Sequence, residues 1–165
     1  MGSRLAEIAA DRGDDVFSGY CHHLPEVGER IKFDLEDKGG IRDKILEVRP
    51  EVVYHTAALT DVDRCETDQD LAWKINAEGT ESVAKSAAEV GAFVVYVSTD
   101  YVFDGDRGFY REDDRTDPIN NYGLTKLLGE RFCDCVARTC VIYGARPASG
   151  KVNFALWLIE KLKDG

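Results

Sequence analysis

The segment Phe93-Val94-Val95-Tyr96-Val97-Ser98 constrains the fold more than any other part of the chain. It is a continuous apolar run of β-branched and aromatic residues, bounded by Gly91 before it and by Thr99-Asp100 after it. A strand with one wet face would alternate; an unbroken run reads as a strand buried on both faces. Further strand candidates occur at 15–18, 31–35, 52–55 and 136–143. Amphipathic stretches separate them. Residues 4–11 place Leu5, Ile8 and Ala9 on one face. Gly39-Gly40 opens a stretch with Ile41, Ile45, Leu46 and Val48 that Pro50 closes. Residues 70–90 carry Leu71, Ile75, Val83 and Ala87 near helical spacing, and 122–132 and 153–163 follow. Strand and helix alternate throughout, which predicts the α/β class: a doubly wound parallel sheet with helices on both sides. The segments 20–30, 57–63, 99–121 and 144–150 read as loops, and the third is long enough to suggest a function.

Composition narrows the function. The 165 residues have room for one domain, 1–165, and 44% hydrophobic with 32% charged residues is a globular balance. The net charge is −10, with 21 Lys and Arg against 31 Asp and Glu and no basic cluster. Polynucleotides and anionic membrane surfaces both need a basic face, so neither is an expected partner. No apolar run approaches the roughly 18–20 residues of a membrane span. The N-terminus shows no secretory pattern. Five cysteines (Cys21, Cys65, Cys133, Cys135, Cys140) form no Cys-x-x-Cys pair and are not spaced with His22, His23 or His55 as metal ligands. Free thiols and no metal are expected, in a reducing cytoplasm.

A doubly wound domain normally opens with a strand, then a glycine turn, then a helix. This chain opens at the helix, and Met1-Gly2-Ser3-Arg4 resembles only the end of such a turn. The expectation is a domain lacking its first strand, most of the phosphate-binding turn and any substrate lobe beyond the final helix. The alternative is a smaller fold whose native start is Met1.

Three residues stand out for chemistry. Tyr122 and Lys126 are four apart on a predicted helix, so they share a face. A neighbouring ammonium lowers a Tyr pKa from about 10 and readies the phenol to protonate a carbonyl that is becoming an alkoxide. Thr99 directly follows the strand 93–98. Ligands of parallel sheets bind beyond the carboxyl ends of strands, so Ser98-Thr99-Asp100 lies where substrate belongs. A Thr99 hydroxyl there can align a substrate carbonyl with Tyr122. Read without function, the same residues are a turn cap and a surface lysine beside a half-buried Tyr.

The blocks Ser98-Thr99-Asp100-Tyr101-Val102-Phe103-Asp104-Gly105 and Tyr122-Gly123-Leu124-Thr125-Lys126-Leu127-Leu128-Gly129-Glu130 resemble the extended short-chain dehydrogenase/reductases. Further pieces agree in order: Phe33-Asp34-Leu35, the loop from Ala57 to Glu66, Lys74-Ile75-Asn76-Ala77, Arg138-Thr139 before Ile142-Tyr143-Gly144, and Asn153-Phe154. The first block is the most specific piece. The resemblance implies a Rossmann-like NAD(P)-binding fold, with Tyr122 as general acid and Lys126 on the nicotinamide ribose. Thr99, Asp100, Tyr101, Val141 and Asn153 would contact a nucleotide-sugar substrate. Gly2, Asp34, Leu35, Ala57, Ala58, Leu59, Thr60 and Val97 would line the cofactor site together with Tyr122 and Lys126. NADPH or NADH is the expected cofactor, since Ser18-Gly19-Tyr20-Cys21 holds neither the acid that favours NAD nor an Arg. Where many relatives carry Trp, this chain has Val141, which leaves the sugar preference open.

The implied activity is reduction of the 4-keto group of a dTDP-linked 6-deoxysugar, giving dTDP-L-rhamnose; a homodimer is compatible with it. Two rivals share the fold. One is a non-catalytic regulatory subunit like that of methionine adenosyltransferase, which would need neither Tyr122 nor Lys126. The other is a sugar-nucleotide epimerase or dehydratase. A dehydratase would usually carry Asp-Glu directly after the Thr, where this chain has Asp100-Tyr101.

Overall fold

The computed structural model describes residues 1–143 and 154–163. The chain divides into two compact units, Met1–Lys32 with Cys140–Gly165, and Phe33–Thr139.

The first unit contains α1 (Gly2–Asp11), β1 (Phe17–Tyr20), β2 (Glu29–Lys32) and, later in the chain, a helix over Phe154–Lys163. β1 and β2 pair in parallel, from Phe17 opposite Glu29 to Tyr20 opposite Lys32. The expected strand 15–18 therefore begins two residues later. Neither helix of this unit buries a residue. Ile8, Phe17, Trp157, Leu158, Ile159 and Leu162 are all exposed. The helix predicted over 153–163 begins at Phe154 among the described residues, and Asn153 lies outside them.

The second unit runs α2 (Lys38–Val48), β3 (Val52–His55), α3 (Val62–Thr67), α4 (Gln69–Ala72), a π-helical turn (Trp73–Gly79), α5 (Thr80–Val90), β4 (Phe93–Thr99), a 3-10 turn (Asp100–Val102), α6 (Asn121–Glu130) and β5 (Cys135–Thr139). The helix over Phe154–Lys163 is α7. The three strands form a parallel sheet in the order β3-β4-β5. In this sheet, parallel pairing through helical crossovers is the predicted α/β arrangement; β1 and β2 are joined instead by the loop 21–28, and the described strands form one sheet of two and one of three.

Burial in the sheet is less even than the continuous apolar run implied. Val94, Tyr96 and Ser98 are buried. Val94 packs with Ala87 of α5, and Gly129 of α6 lies against Tyr96, so both helices cover the same face. On the other face Val52, Tyr54 and Phe93 stay exposed. A two-sided apolar strand is thus covered on one side within this unit.

Other boundaries also differ from expectation. The strand expected at 31–35 is ladder-paired only to Lys32. Asp34 then turns the chain, its carboxylate accepting from the Glu36 N–H at 3.0 Å and its carbonyl from the Asp37 N–H at 3.1 Å. Leu35 drops instead into a core with Ile41, Ile45 and Val83. The loop expected at 57–63 gives way to α3, because the Asp61 carboxylate caps it through the Arg64 N–H at 3.0 Å. The last strand stops at Thr139, after which Val141, Ile142 and Tyr143 are exposed.

Among the described residues no disulfide joins the cysteines. No described helix is long and apolar enough to cross a membrane. Among the described residues no cluster of His, Cys, Asp and Glu could hold a metal ion.

Candidate active site

The site lies in the second unit, where β4 ends and α6 begins. Thr99 is the last residue of β4 and is buried. Its Oγ1 accepts from the Tyr101 N–H at 3.2 Å and donates to Asp100 Oδ1 at 3.2 Å, which bends the chain into the 3-10 turn. Behind it, Ser98 Oγ donates to Glu130 at 2.6 Å, and Arg138 forks onto the same carboxylate at 2.7–3.3 Å. Thr139 Oγ1 donates to the Ser98 carbonyl at 3.1 Å. The carboxyl end of β4 is thereby tied to both α6 and β5.

α6 is started by Asn120, whose Oδ1 accepts from the Gly123 N–H at 2.7 Å. Two glycines let this helix approach closely. A Cβ at Gly123 would collide with the Tyr101 carbonyl, and one at Gly129 would sit 2.8 Å from the Tyr96 hydroxyl. The Tyr-Gly pair is therefore a packing requirement as well as a signature. It sets Tyr122 beside the 3-10 turn, its ring edge-on to Tyr101 with centroids 5.8 Å apart.

Tyr122 is half-buried. Burial pushes its phenol pKa up, and the Thr99 hydroxyl pulls it part of the way back. Lys126 is not among the main influences on that pKa. The lysine is buried, donates to the Val97 carbonyl at 2.8 Å and places Nζ 4.0 Å from the Tyr96 ring centroid. Burial lowers its pKa to about 8. The expectation that Lys126 holds the Tyr122 phenol below its usual value is thus not met: one helical turn brings the two side chains to one face, but the ammonium is drawn inward to the strand carbonyl. Next to it, His55 stacks on Tyr96 at 5.4 Å and hydrogen-bonds Thr80 through Nε2 at 3.0 Å. Burial, and then the nearby Lys126 charge, lower its pKa to about 3.

The loop after β3 holds Ala57, Ala58, Leu59 and Thr60, and a residue that sequence reasoning gave no role fixes it. Asn76 is 1% exposed. Its Oδ1 accepts from the Leu59 N–H at 2.8 Å, and its Nδ2 donates to the Leu59 carbonyl at 3.0 Å and to Thr125 Oγ1 at 3.2 Å. The π-helical turn carries it, a distortion frequently found at functional sites. The available signal was a polar residue between Ile75 and Ala77 on a face that ought to be apolar.

The other expected residues divide. Asp34 is exposed, with its carboxylate engaged in its own turn, and Leu35 is a core residue. Val97 offers its carbonyl to Lys126. Gly2, at the start of α1, and the exposed Val141 belong to the first unit. The structure thus brings Thr99, Asp100, Tyr101 and Tyr122 together, with Lys126 beneath them.

The family described as RmlD substrate binding domain matches residues 1–165. Over 157 residues the chain is 43% identical to the dTDP-4-dehydrorhamnose reductase of Salmonella typhimurium (strain LT2), covering 86% of this chain and 51% of that protein. It is also 43% identical over 117 residues to methionine adenosyltransferase 2 subunit beta of Xenopus laevis, covering 67% of this chain and 35% of that one. Among solved structures, a hypothetical dTDP-4-dehydrorhamnose reductase from Sulfolobus tokodaii superposes with a TM-score of 0.87 at 38% identity, over 98% of this chain and 57% of that chain. The Bacillus anthracis dTDP-4-dehydrorhamnose reductase in complex with NADP gives 0.75 at 35% identity, over 87% and 54%. The chain spans about half the length of the reductases named here.

Proposed function

The chain belongs to the RmlD substrate binding domain family, and from that premise we propose that it carries the proton donor of an NAD(P)H-dependent reductase that converts dTDP-4-dehydro-6-deoxy-L-mannose to dTDP-L-rhamnose. The observation that carries the reading is the placement of the Tyr122 phenol beside Thr99, at the carboxyl end of β4, with Asp100 and Tyr101 on the adjoining turn. The relatives named dTDP-4-dehydrorhamnose reductase support the substrate, and the Bacillus anthracis complex supports NADP as one cofactor.

The residues of the second unit fit a nicotinamide dinucleotide. Ala57 and Thr60 are exposed on a loop that Asn76 holds rigid after β3, and Tyr122 lies on α6, which the Asn76–Thr125 bond ties to that loop. When bound, NADPH or NADH supplies the hydride. Thr99 orients the substrate carbonyl toward Tyr122 by hydrogen bonding. Tyr122 gives its phenolic proton to the carbonyl oxygen as that oxygen gains negative charge. Its raised pKa keeps the proton in place until then. Lys126 supplies positive charge beneath the site, and Asp100 and Tyr101 position the sugar.

A non-catalytic role gains support from the likeness to the methionine adenosyltransferase subunit. Thr99, Tyr122 and Lys126 together favour the enzyme. The deciding experiment incubates the protein with dTDP-4-dehydro-6-deoxy-L-mannose and NADPH or NADH, and follows cofactor oxidation and the sugar nucleotide formed. Stoichiometric dTDP-L-rhamnose is the expected result. Cofactor binding without turnover would favour the binding subunit.

A further inference from the structure

We infer that Glu66 is a positioning residue for Tyr122: its carboxylate fixes the first turn of α6 and so the place of the phenol beside Thr99. Glu66 lies on α3. One of its oxygens accepts from the Asn121 backbone N–H at 2.6 Å, and the other accepts from Asn121 Nδ2 at 2.8 Å. Asn121 is the first residue of α6 and Tyr122 the second.

That location is where a helix is weakest. The first N–H groups of a helix have no partner within it, and terminal turns fray. Asn120 takes up the Gly123 N–H, and Glu66 takes up that of Asn121. A carboxylate at this end also meets the positive pole of the helix dipole. Glu66 is 55 positions away in sequence, so its bonds fasten α6 to another element as well as closing the turn.

α3 is itself held at the loop after β3. The residue before Glu66, Cys65, is fully buried, and its thiol donates to the Leu59 carbonyl at 3.6 Å. Asp61 caps the same short helix. Consecutive side chains, Cys65 and Glu66, therefore join the Leu59 loop to the start of α6. A displacement of about 1 Å at a reacting group is enough to cost orders of magnitude in rate, and α3 is the strut that resists it. The inference rests on the role proposed above for Tyr122.

The test compares Glu66→Ala and Glu66→Gln with Glu89→Gln, a change at an exposed carboxylate paired with Arg42. Glu66→Gln keeps an acceptor for the backbone N–H but sets an amide N–H against Asn121 Nδ2, so half of the clamp survives. In Glu66→Ala, kcat is expected to fall at least about tenfold with the cofactor KM nearly unchanged. Glu66→Gln should fall between, and Glu89→Gln should match the parent. Hydrogen exchange of the amides at 121–125 should accelerate about tenfold in Glu66→Ala, with the rest of the chain unchanged. Unchanged exchange there, acceleration spread over the whole chain, or an unaffected kcat would overturn the inference. If the parent protein turns over no sugar, the reading of its function falls. The exchange pattern, with the Tyr122 phenol titration taken as the difference from Tyr122→Phe, then still decides for or against Glu66.

Discussion

Asn76 holds both backbone polar groups of Leu59 at once, accepting from its N–H at 2.8 Å and donating to its carbonyl at 3.0 Å. The remaining N–H of the amide reaches Thr125 on α6. One buried side chain therefore links the loop after β3 to the helix that carries Tyr122. Removing it leaves the part-buried Leu59 N–H without its partner and the Leu59 carbonyl with only the Cys65 thiol, as well as losing its own bonds, and a polar group so left costs about 1–3 kcal/mol. Asn76→Ala is expected to destabilise the protein by about 3 kcal/mol, read as a lower urea midpoint. Asn76→Leu, of similar volume, should do no better, since the lost bonds rather than the lost volume set the cost. A midpoint within error of the parent would remove Asn76 from the account.

Lys126 is expected to trade stability for function. Its pKa is about 8 in the folded chain, against an ordinary 10.5, because burial disfavours the ammonium. Folding thus carries a penalty that is full below about pH 8 and is relieved as pH rises toward 10.5. Lys126 makes its hydrogen bond to the Val97 carbonyl rather than to a carboxylate, and burying a charge without an ionic partner costs more than burying an apolar side chain of similar size. Lys126→Met should raise the melting temperature at pH 7, abolish turnover and flatten the rise of stability above pH 8. A lower melting temperature at pH 7 would show that the Val97 bond and the contact over Tyr96 outweigh the burial cost.

His55 gives the opposite limb. Its pKa falls from 6.5 to about 3 on folding. As pH drops through 6.5 the unfolded chain takes up a proton that the folded chain refuses, so stability is lost between pH 6.5 and about 3. Between pH 7 and pH 5 the loss from this group is about 2 kcal/mol. His55→Gln keeps a partner for Thr80 and has no proton to gain. Its urea midpoint should fall less over that interval than the parent's, and equal slopes would show that His55 is protonated in the folded state.

Much of this architecture was legible in the sequence because hydrophobic patterning decides element type. The run ending at Ser98 is β4, and Val52–His55 is β3 without adjustment. Boundaries set by side-chain capping were harder to see. Asp61 and Asp68 each start a helix by accepting one backbone N–H, and Asp34 ends a strand the same way. In a chain so rich in Asp, such residues look like ordinary loop. The pairing of Thr99 with Tyr122 was visible because each is tied to an element end. The inward turn of Lys126 was not, since helical spacing fixes the face of a side chain but not the carbonyl it finds. Asn76 and Glu66 escaped for another reason: their bonds to Leu59, Thr125 and Asn121 join residues 17, 49 and 55 positions apart.

The central claim, that Tyr122 delivers the proton, is tested most directly by Tyr122→Phe. The ring stays edge-on to Tyr101, and only the hydroxyl is lost. Turnover of dTDP-4-dehydro-6-deoxy-L-mannose should fall by at least about 10²-fold, while NADPH binding, followed by its fluorescence, should change little. Turnover within a few-fold of the parent would contradict the account, because the proton would then come from another group.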